Sequence, residues 1–84
     1  MKLNFEALNE RLSPTLAKLV NFIFRRQGAE LRRLDFAAAA EALNTDWTGV
    51  RRLCDQLEAK GIIIYEGMYD NKKLRLSDDV LKAG

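Results

Sequence analysis

The fold of this chain is decided by residues 46–62, which read DWTGVRRLCDQLEAKGI. On a helix with 3.6 residues per turn, one side of this stretch is apolar and carries Val50, Leu53 and Leu57. Asp46 can cap the start of the helix, because its carboxylate accepts hydrogen bonds from free backbone N–H groups. Gly61 can end the helix in the left-handed conformation, and isoleucines follow at once. We therefore predict a capped amphipathic helix that leads directly into a strand.

The opposite side of this predicted helix is polar and partly cationic. It carries Thr48, Arg51, Arg52, Asp55 and Gln56. Cys54 belongs to the apolar side and is expected to be a small buried residue. Trp47 has two interpretations, since its ring could pack at the helix start or stack on the sugar–phosphate edge of a nucleic acid. A helix of this kind packs on its own domain and presents its polar face outward.

Length and composition limit what the chain can do. Its 84 residues suit one domain, and an apolar fraction of 48% is ordinary for a globular protein. Charged residues make up 31% of the chain, yet the net charge is only +2. Any contact with nucleic acid would therefore depend on local clustering of basic side chains, because the overall charge is too small to attract it.

Residue types that are rare or missing exclude several kinds of chemistry. The single cysteine cannot form an intramolecular disulfide, which favours a reducing compartment. Without histidine, neither a closed zinc site nor His-dependent nucleophilic catalysis can be built. No secretory signal or membrane-spanning segment is apparent. We expect a cytoplasmic protein that is not an enzyme, contacts no membrane and holds no metal or cofactor.

Two further helices are predicted before residue 46. The first covers 14–27, because Ser13 can cap it, the proline that follows suits the first helical position, and a glycine comes after its end. The second covers 36–43, with Asp35 as its cap and alanines on its apolar stripe. Asn44 tolerates a left-handed backbone, so only a tight turn separates this helix from the next.

The remaining segments read as strands and short terminal elements. Residues 62–66 and 73–76 are rich in residues that favour strands and predict a β-hairpin with a cationic tip. Residues 29–34 are too short for a helix and predict a brief strand with a leucine inward. The apolar spacing in residues 1–12 favours a short helix. Residues 78–82 predict a final helical turn.

The order helix, short strand, helix, tight turn, helix, hairpin resembles the winged helix-turn-helix superfamily of bacterial and archaeal DNA-binding regulators. The resemblance rests on DFAAAAEALN at 35–44, VRRL at 50–53 and LEAKGII at 57–63. It implies an α+β, mainly helical fold in which residues 13–77 form a three-helix core with a C-terminal β-hairpin wing. Short helical segments at 1–12 and 78–84 would flank this domain.

Two residues depart from the pattern of that superfamily. Thr45 stands where an apolar turn residue is usual, and Gly49 stands where Thr or Ser is frequent. Glycine inside a helix costs on the order of 1 kcal/mol relative to alanine. The simplest explanation of Gly49 is close packing against the alanine-rich helix, and close approach to a ligand is the alternative.

The resemblance also implies a function, namely sequence-specific binding of double-stranded DNA by a regulator of transcription or replication. A prokaryotic, phage or plasmid origin is implied with it. Helix 46–60 would enter the major groove, while the hairpin over 65–75 would contact the backbone. The candidate DNA-contacting residues are Trp47, Thr48, Arg51, Arg52, Asp55, Gln56, Arg32, Arg33, Lys72, Lys73 and Arg75. Because so small a surface usually needs a second copy, we expect a homodimer, with 1–12 and 78–83 as dimer elements.

Each of these candidates also has a structural explanation that needs no ligand. Arg51 and Asp55 have the i, i+4 spacing of an ordinary surface ion pair, and cations near a hairpin tip discourage edge pairing. The low net charge and the acidic residues keep a second function open, a protein-interaction module of a larger assembly. Basic residues clustered on one face would favour DNA, whereas acidic residues interleaved among them would favour a protein partner.

Overall fold

The computed structural model describes residues 2–4, 8, 12–67 and 72–82. Within these ranges the chain forms a small α+β domain with three helices and a β-hairpin. In chain order the elements are β1 (Lys2–Leu3), α1 (Pro14–Gln27), α2 (Phe36–Ala42), α3 (Trp47–Ala59), β2 (Ile63–Glu66), β3 (Lys73–Leu76), a 3-10 turn (Asp78–Val80) and β4 (Leu81–Lys82). The three helices and the two hairpin strands therefore lie where the sequence predicts them.

Each helix is capped by the side chain that the sequence suggests. Ser13, Asp35 and Asp46 each accept a hydrogen bond from the backbone N–H three residues ahead, at 3.3, 3.0 and 2.8 Å. Gly28 and Gly61 follow the ends of α1 and α3 with φ angles of 59° and 74°. A side-chain cap at the N-terminus of a helix, such as Ser13, Asp35 or Asp46, contributes about 1 kcal/mol to stability. Helix boundaries are thus set by local residues, as predicted.

The core lies between the three helices and the inner face of the hairpin. α3 contributes the fully buried Val50, Cys54 and Leu57. The other fully buried side chains of large volume are Leu19, Val20, Ile23, Ile62, Ile63, Leu74, Leu76 and Val80. Because the apolar side of α3 is used in this core, its polar side is left facing solvent.

The hairpin sorts its side chains onto two faces. β2 and β3 pair antiparallel, with Tyr65 opposite Leu74 and Ile64 opposite Arg75. Because successive side chains of a strand point to opposite faces, the Tyr65–Leu74 pair lies on the inner face and Arg75 on the outer face. The predicted strand at 29–34 is reduced to a single bridge, in which Arg32 exchanges backbone hydrogen bonds of 3.1 and 2.8 Å with Leu74.

Gln27 is a buried polar residue that ties the end of α1 to the hairpin. Its Nε2 donates to the carbonyl oxygen of Glu30 at 2.7 Å and to that of Leu74 at 2.8 Å. We expect Gln27→Leu to lower the free energy of unfolding by about 1–3 kcal/mol, because it removes both donors without changing the shape greatly. Urea denaturation measures this. The same substitution at the exposed Gln56 is the control, and an equal loss there would contradict the role of Gln27.

The turn between α2 and α3 explains Gly49. Asn44 has a φ of 55°, as its left-handed assignment requires. A Cβ atom on Gly49 would meet the side-chain oxygen of Thr45 and would lie 3.4 Å from Asp46 Oδ1. The explanation by close packing against the alanine-rich helix is therefore wrong. Glycine makes room for the turn residue Thr45 and for the helix cap.

The terminal segments differ from the prediction because they pair with each other. β1 and β4 form a two-stranded antiparallel sheet, with Lys2 opposite Lys82 and Leu3 opposite Leu81. The helical turn expected over 78–82 stops at Val80, whose carbonyl accepts from Asn4 N–H at 2.8 Å. Most of the helix expected over 1–12 lies outside the described residues, as does most of the hairpin turn. Within the described part, Leu8 and Leu12 each donate a backbone hydrogen bond to the carbonyl four residues back.

Candidate functional site

A groove of about 430 Å³ lies between α3, the start of α2 and the hairpin. We call it the α3 groove. It is lined by Arg33, Leu34, Asp35, Phe36, Ala37, Trp47, Arg51, Asp55, Tyr65, Lys72 and Leu74. The groove is therefore built from three separate parts of the chain. It contains five of the eleven predicted DNA-contacting residues, and it combines aromatic, cationic and acidic side chains.

α3 carries its polar side chains in two rows. Trp47, Arg51 and Asp55 are four residues apart, so they share one side of the helix and line the α3 groove. We call them the groove row. Thr48, Arg52 and Gln56 repeat the same spacing on the neighbouring side, are exposed and do not line the groove. We call these three the outer row. The predicted polar front thus presents two different surfaces.

Three cations from different elements line the α3 groove. Arg33 precedes α2, Arg51 belongs to the groove row, and Lys72 lies just before β3. Within the described ranges, no salt bridge joins Arg33, Arg51 or Lys72 to a carboxylate. The i, i+4 pair between Arg51 and Asp55 is therefore absent there. Lys72 Nζ instead lies 4.2 Å from the centre of the Tyr65 ring, within the range of a cation–π interaction.

Two carboxylates lie among these cations. Asp35 is the cap of α2, so its charge also faces the positive end of that helix. Asp55 forms no salt bridge with any residue in the described part of the chain. The basic residues of the α3 groove are therefore interleaved with acidic ones.

Trp47 stands out among the side chains of the groove. It is 62% exposed, although it is large and apolar. Its ring centre lies 5.3 Å from that of Phe36, with the ring planes tilted by 39°. Trp47 and Phe36 are the first residues of α3 and α2, so this contact joins the two helix starts. One part of the Trp47 ring therefore packs at the helix start, while the rest faces solvent.

The other predicted hairpin cations lie away from the α3 groove. Lys73 and Arg75 occupy the outer face of β3. Arg75 lies 4.0 Å from a carboxylate oxygen of Glu66 and 3.9 Å from one of Asp78. Of the three candidates in this segment, only Lys72 shares a surface with the groove row. The alternation of side chains along β3 could be predicted from the sequence. Which face of the hairpin meets α3 could not be predicted from it.

Arg32 belongs to a second and smaller groove. This groove of about 200 Å³ lies beside the end of α1 and is lined by Phe22, Arg26, Gln27, Arg32, Arg33, Leu34 and Asp35. Arg32 forms an ion pair with Glu30, and the Arg26 guanidinium lies 5.1 Å from the centre of the Phe22 ring. Sequence reasoning missed Arg26, whose i, i+4 spacing from Phe22 was the available signal. Arg33 lines both grooves and so connects them.

Tyr65 and Cys54 join the wall of the α3 groove to the core. The Tyr65 hydroxyl interacts with the Cys54 thiol and lowers its pKa. Burial has the larger and opposite effect and raises the pKa of Cys54 from 9.0 to about 11. Burial also raises the pKa of Tyr65, with the neighbouring Cys54 as the next cause. Both side chains are therefore held neutral, which suits a structural contact.

These raised pKa values predict that the protein loses stability at high pH. Folding favours the protonated thiol of Cys54, so its contribution is complete below pH 9.0 and is lost as the pH rises towards 11. We expect the free energy of unfolding to fall by about 1–2 kcal/mol over this range. Urea denaturation at pH 8, 9, 10 and 11 measures it. The Cys54→Ala variant should show a smaller fall, and an identical pH dependence would contradict the assignment.

Comparison with known proteins finds no matching family model, no matching curated protein and no matching solved structure. In the described ranges, no three His, Cys, Asp or Glu side chains are placed to hold a metal ion together. No helix in those ranges has the length and apolar character that crossing a membrane requires.

Proposed function

We propose that the protein binds double-stranded DNA sequence-specifically, as a regulator of transcription or replication with a winged helix-turn-helix fold. In this arrangement α3 lies in the major groove and the β2–β3 hairpin lies along the adjacent backbone. The observation that carries the proposal is the placement of Arg33, Arg51 and Lys72. They come from three elements, line one side of the exposed helix and form no salt bridge within the described ranges.

The geometry of α3 suits insertion into DNA. An α-helix with its side chains is about 10–12 Å wide, which the major groove of about 12 Å accepts. The apolar side of α3 is buried in the core, so the rest of the domain lies behind the helix. Both polar rows and the N-terminal end of the helix are exposed. These are the parts of a recognition helix that contact base edges.

The cations divide into two roles in this arrangement. Arg33 lies in the segment before α2 and Lys72 in the hairpin, both on the same side of α3 as the groove row, so they would contact phosphates beside the inserted helix. Arg51 and Arg52 lie on α3 itself, where an arginine can make a bidentate contact to guanine. Phosphate contacts would then position the domain, and α3 would select the sequence.

A second candidate function is a protein-interaction module, and one observation favours it. Asp35 and Asp55 are interleaved with the cations of the α3 groove, next to the exposed ring of Trp47. An exposed tryptophan beside arginine side chains is typical of the energetically dominant part of protein interfaces. The same carboxylates would repel phosphates. They would be tolerated only where they face base edges that carry amino groups.

Selection from random-sequence duplexes, followed by sequencing at several salt concentrations, tests the proposal. We expect enrichment of a defined sequence and an affinity that falls steeply with salt. A homodimer would select two symmetric half-sites with centres about one helical turn apart. Repeating the selection with Arg52→Ala shows whether the outer row reads bases, since a relaxed preference is expected if it does. No enrichment, together with no binding at low salt, would exclude DNA as the partner.

A further inference from the structure

We propose that Trp47 recognises the C5-methyl group of a pyrimidine in the major groove of the DNA. Thymine and 5-methylcytosine both carry this methyl group at the same position, so Trp47 would contact either base in the same way. The inference rests on the proposed function and names the feature of the DNA that selects a site. It assigns a specificity-determining role to Trp47, a large side chain that is 62% exposed.

The first step is the way in which the Trp47 ring is held. Trp47 is the exposed large hydrophobic residue in the described part of the chain, and 62% of it faces solvent. Its ring is not loose, because it rests on Phe36 at a centroid distance of 5.3 Å. An apolar side chain that is fixed before binding loses little conformational entropy when it meets a partner. The contact with Phe36 therefore presents an ordered apolar surface.

The second step is its position on α3. Trp47 is the first residue of this helix, and the N-terminal residues of a recognition helix contact base edges. In the major groove the base edges offer hydrogen-bond donors and acceptors and one apolar group, the methyl group of thymine. Most of the Trp47 ring surface is apolar, and on the base edges only that methyl group is its apolar counterpart.

The third step is the composition of the whole groove row. Trp47 is apolar, Arg51 is a donor and Asp55 is an acceptor. These are the complements of a methyl group, of the guanine acceptors and of a base amino group. A row meant for phosphates would not include Asp55, because a carboxylate is repelled there. The row is therefore suited to base edges along its length.

The spacing within the row adds a prediction about the sequence that is bound. Residues four apart on a helix are separated by about 6 Å along its axis, and successive base pairs by about 3.4 Å. Trp47 and Arg51 should therefore meet base pairs that are at most about two steps apart. The selected sequence should contain a thymine within two base pairs of a guanine.

The test uses the duplex obtained by selection and changes one thymine at a time to uracil, which removes only the methyl group. We expect one such change to weaken the binding of the wild-type protein about fourfold, the effect of one buried methyl group. Replacing that thymine by cytosine should weaken binding as well, and 5-methylcytosine should restore it in part. Full restoration would show that the methyl group alone is read, whichever base carries it.

The protein side of the test is Trp47→Ala, which should bind thymine and uracil duplexes equally. Arg25→Ala, an exposed residue of α1 outside both grooves, is the control and should keep the fourfold difference. Equal binding of thymine and uracil duplexes by the wild-type protein would overturn the inference and leave DNA binding intact. A difference that survives in Trp47→Ala would assign the methyl contact to another residue. Absence of binding to any duplex at low salt would overturn the inference and the proposed function together.

Discussion

The double variant Arg33→Ala/Lys72→Ala is expected to bind the selected duplex about 10- to 100-fold more weakly than the wild-type protein. Both side chains line the α3 groove on the same side of α3 as the groove row, where they would contact phosphates. Each lost phosphate contact releases one counterion fewer on binding. The dependence of log affinity on log salt should therefore become shallower by about two. Fluorescence anisotropy titrations at several salt concentrations measure the affinity and this slope together.

A matched control distinguishes an effect on binding that depends on where these charges lie from one that depends only on how many are removed. Lys18→Ala/Arg25→Ala also removes one lysine and one arginine, from exposed positions of α1 that line neither groove. We expect this control to bind with a salt slope close to that of the wild-type protein. If it weakens binding as much as Arg33→Ala/Lys72→Ala does, the effect follows net charge and the α3 groove is not the DNA-contacting surface. Unchanged affinity in both variants would place the DNA on a surface other than the α3 groove.

Leu57→Ala is expected to have the largest effect on stability. Leu57 is fully buried on the apolar side of α3, and its carbonyl accepts a hydrogen bond from Ile62 N–H at 2.9 Å where the chain enters the hairpin. Truncating a buried leucine to alanine loses the favourable burial of the removed apolar atoms and leaves a cavity in the core. Together these cost about 2–5 kcal/mol of unfolding free energy. Small domains have a total stability of about 5–15 kcal/mol, so this loss is a large part of it.

Urea denaturation of Leu57→Ala and of Glu58→Ala tests this prediction. Glu58 is the next residue and is exposed, so its substitution should change the free energy of unfolding by less than about 0.5 kcal/mol. A loss below about 1 kcal/mol for Leu57→Ala would mean that α3 is not anchored as described. The two rows of polar side chains on its other side would then have no fixed orientation.

Much of the local structure could be predicted, because it depends on residues that are close in sequence. The caps Ser13, Asp35 and Asp46 bond to backbone groups three residues ahead. The left-handed backbone of Asn44 and Gly61 depends on those residues alone. Apolar residues at helical spacing also identified the buried side of α3. In each case a single turn of chain contains both partners of the interaction.

The errors lie where distant segments meet. Residues 81–82 are extended because they pair with residues 2–3, and no local pattern announces such a pairing. Sequence reasoning also does not place Arg26 in the smaller groove, which it lines with Arg32 and Arg33. Contacts of this kind depend on the path of the whole chain.

The sequence by itself determined the helices, their caps, the hairpin strands and the side of α3 that is buried, because these follow from backbone hydrogen bonding and apolar periodicity within short segments. Only the tertiary structure decided how the polar side of α3 is divided. It placed Arg33 and Lys72 beside Arg51, turned Lys73 and Arg75 to the outer face of the hairpin, and set Trp47 on Phe36. These arrangements depend on how α2, α3 and the hairpin pack, and packing joins residues that no local pattern connects.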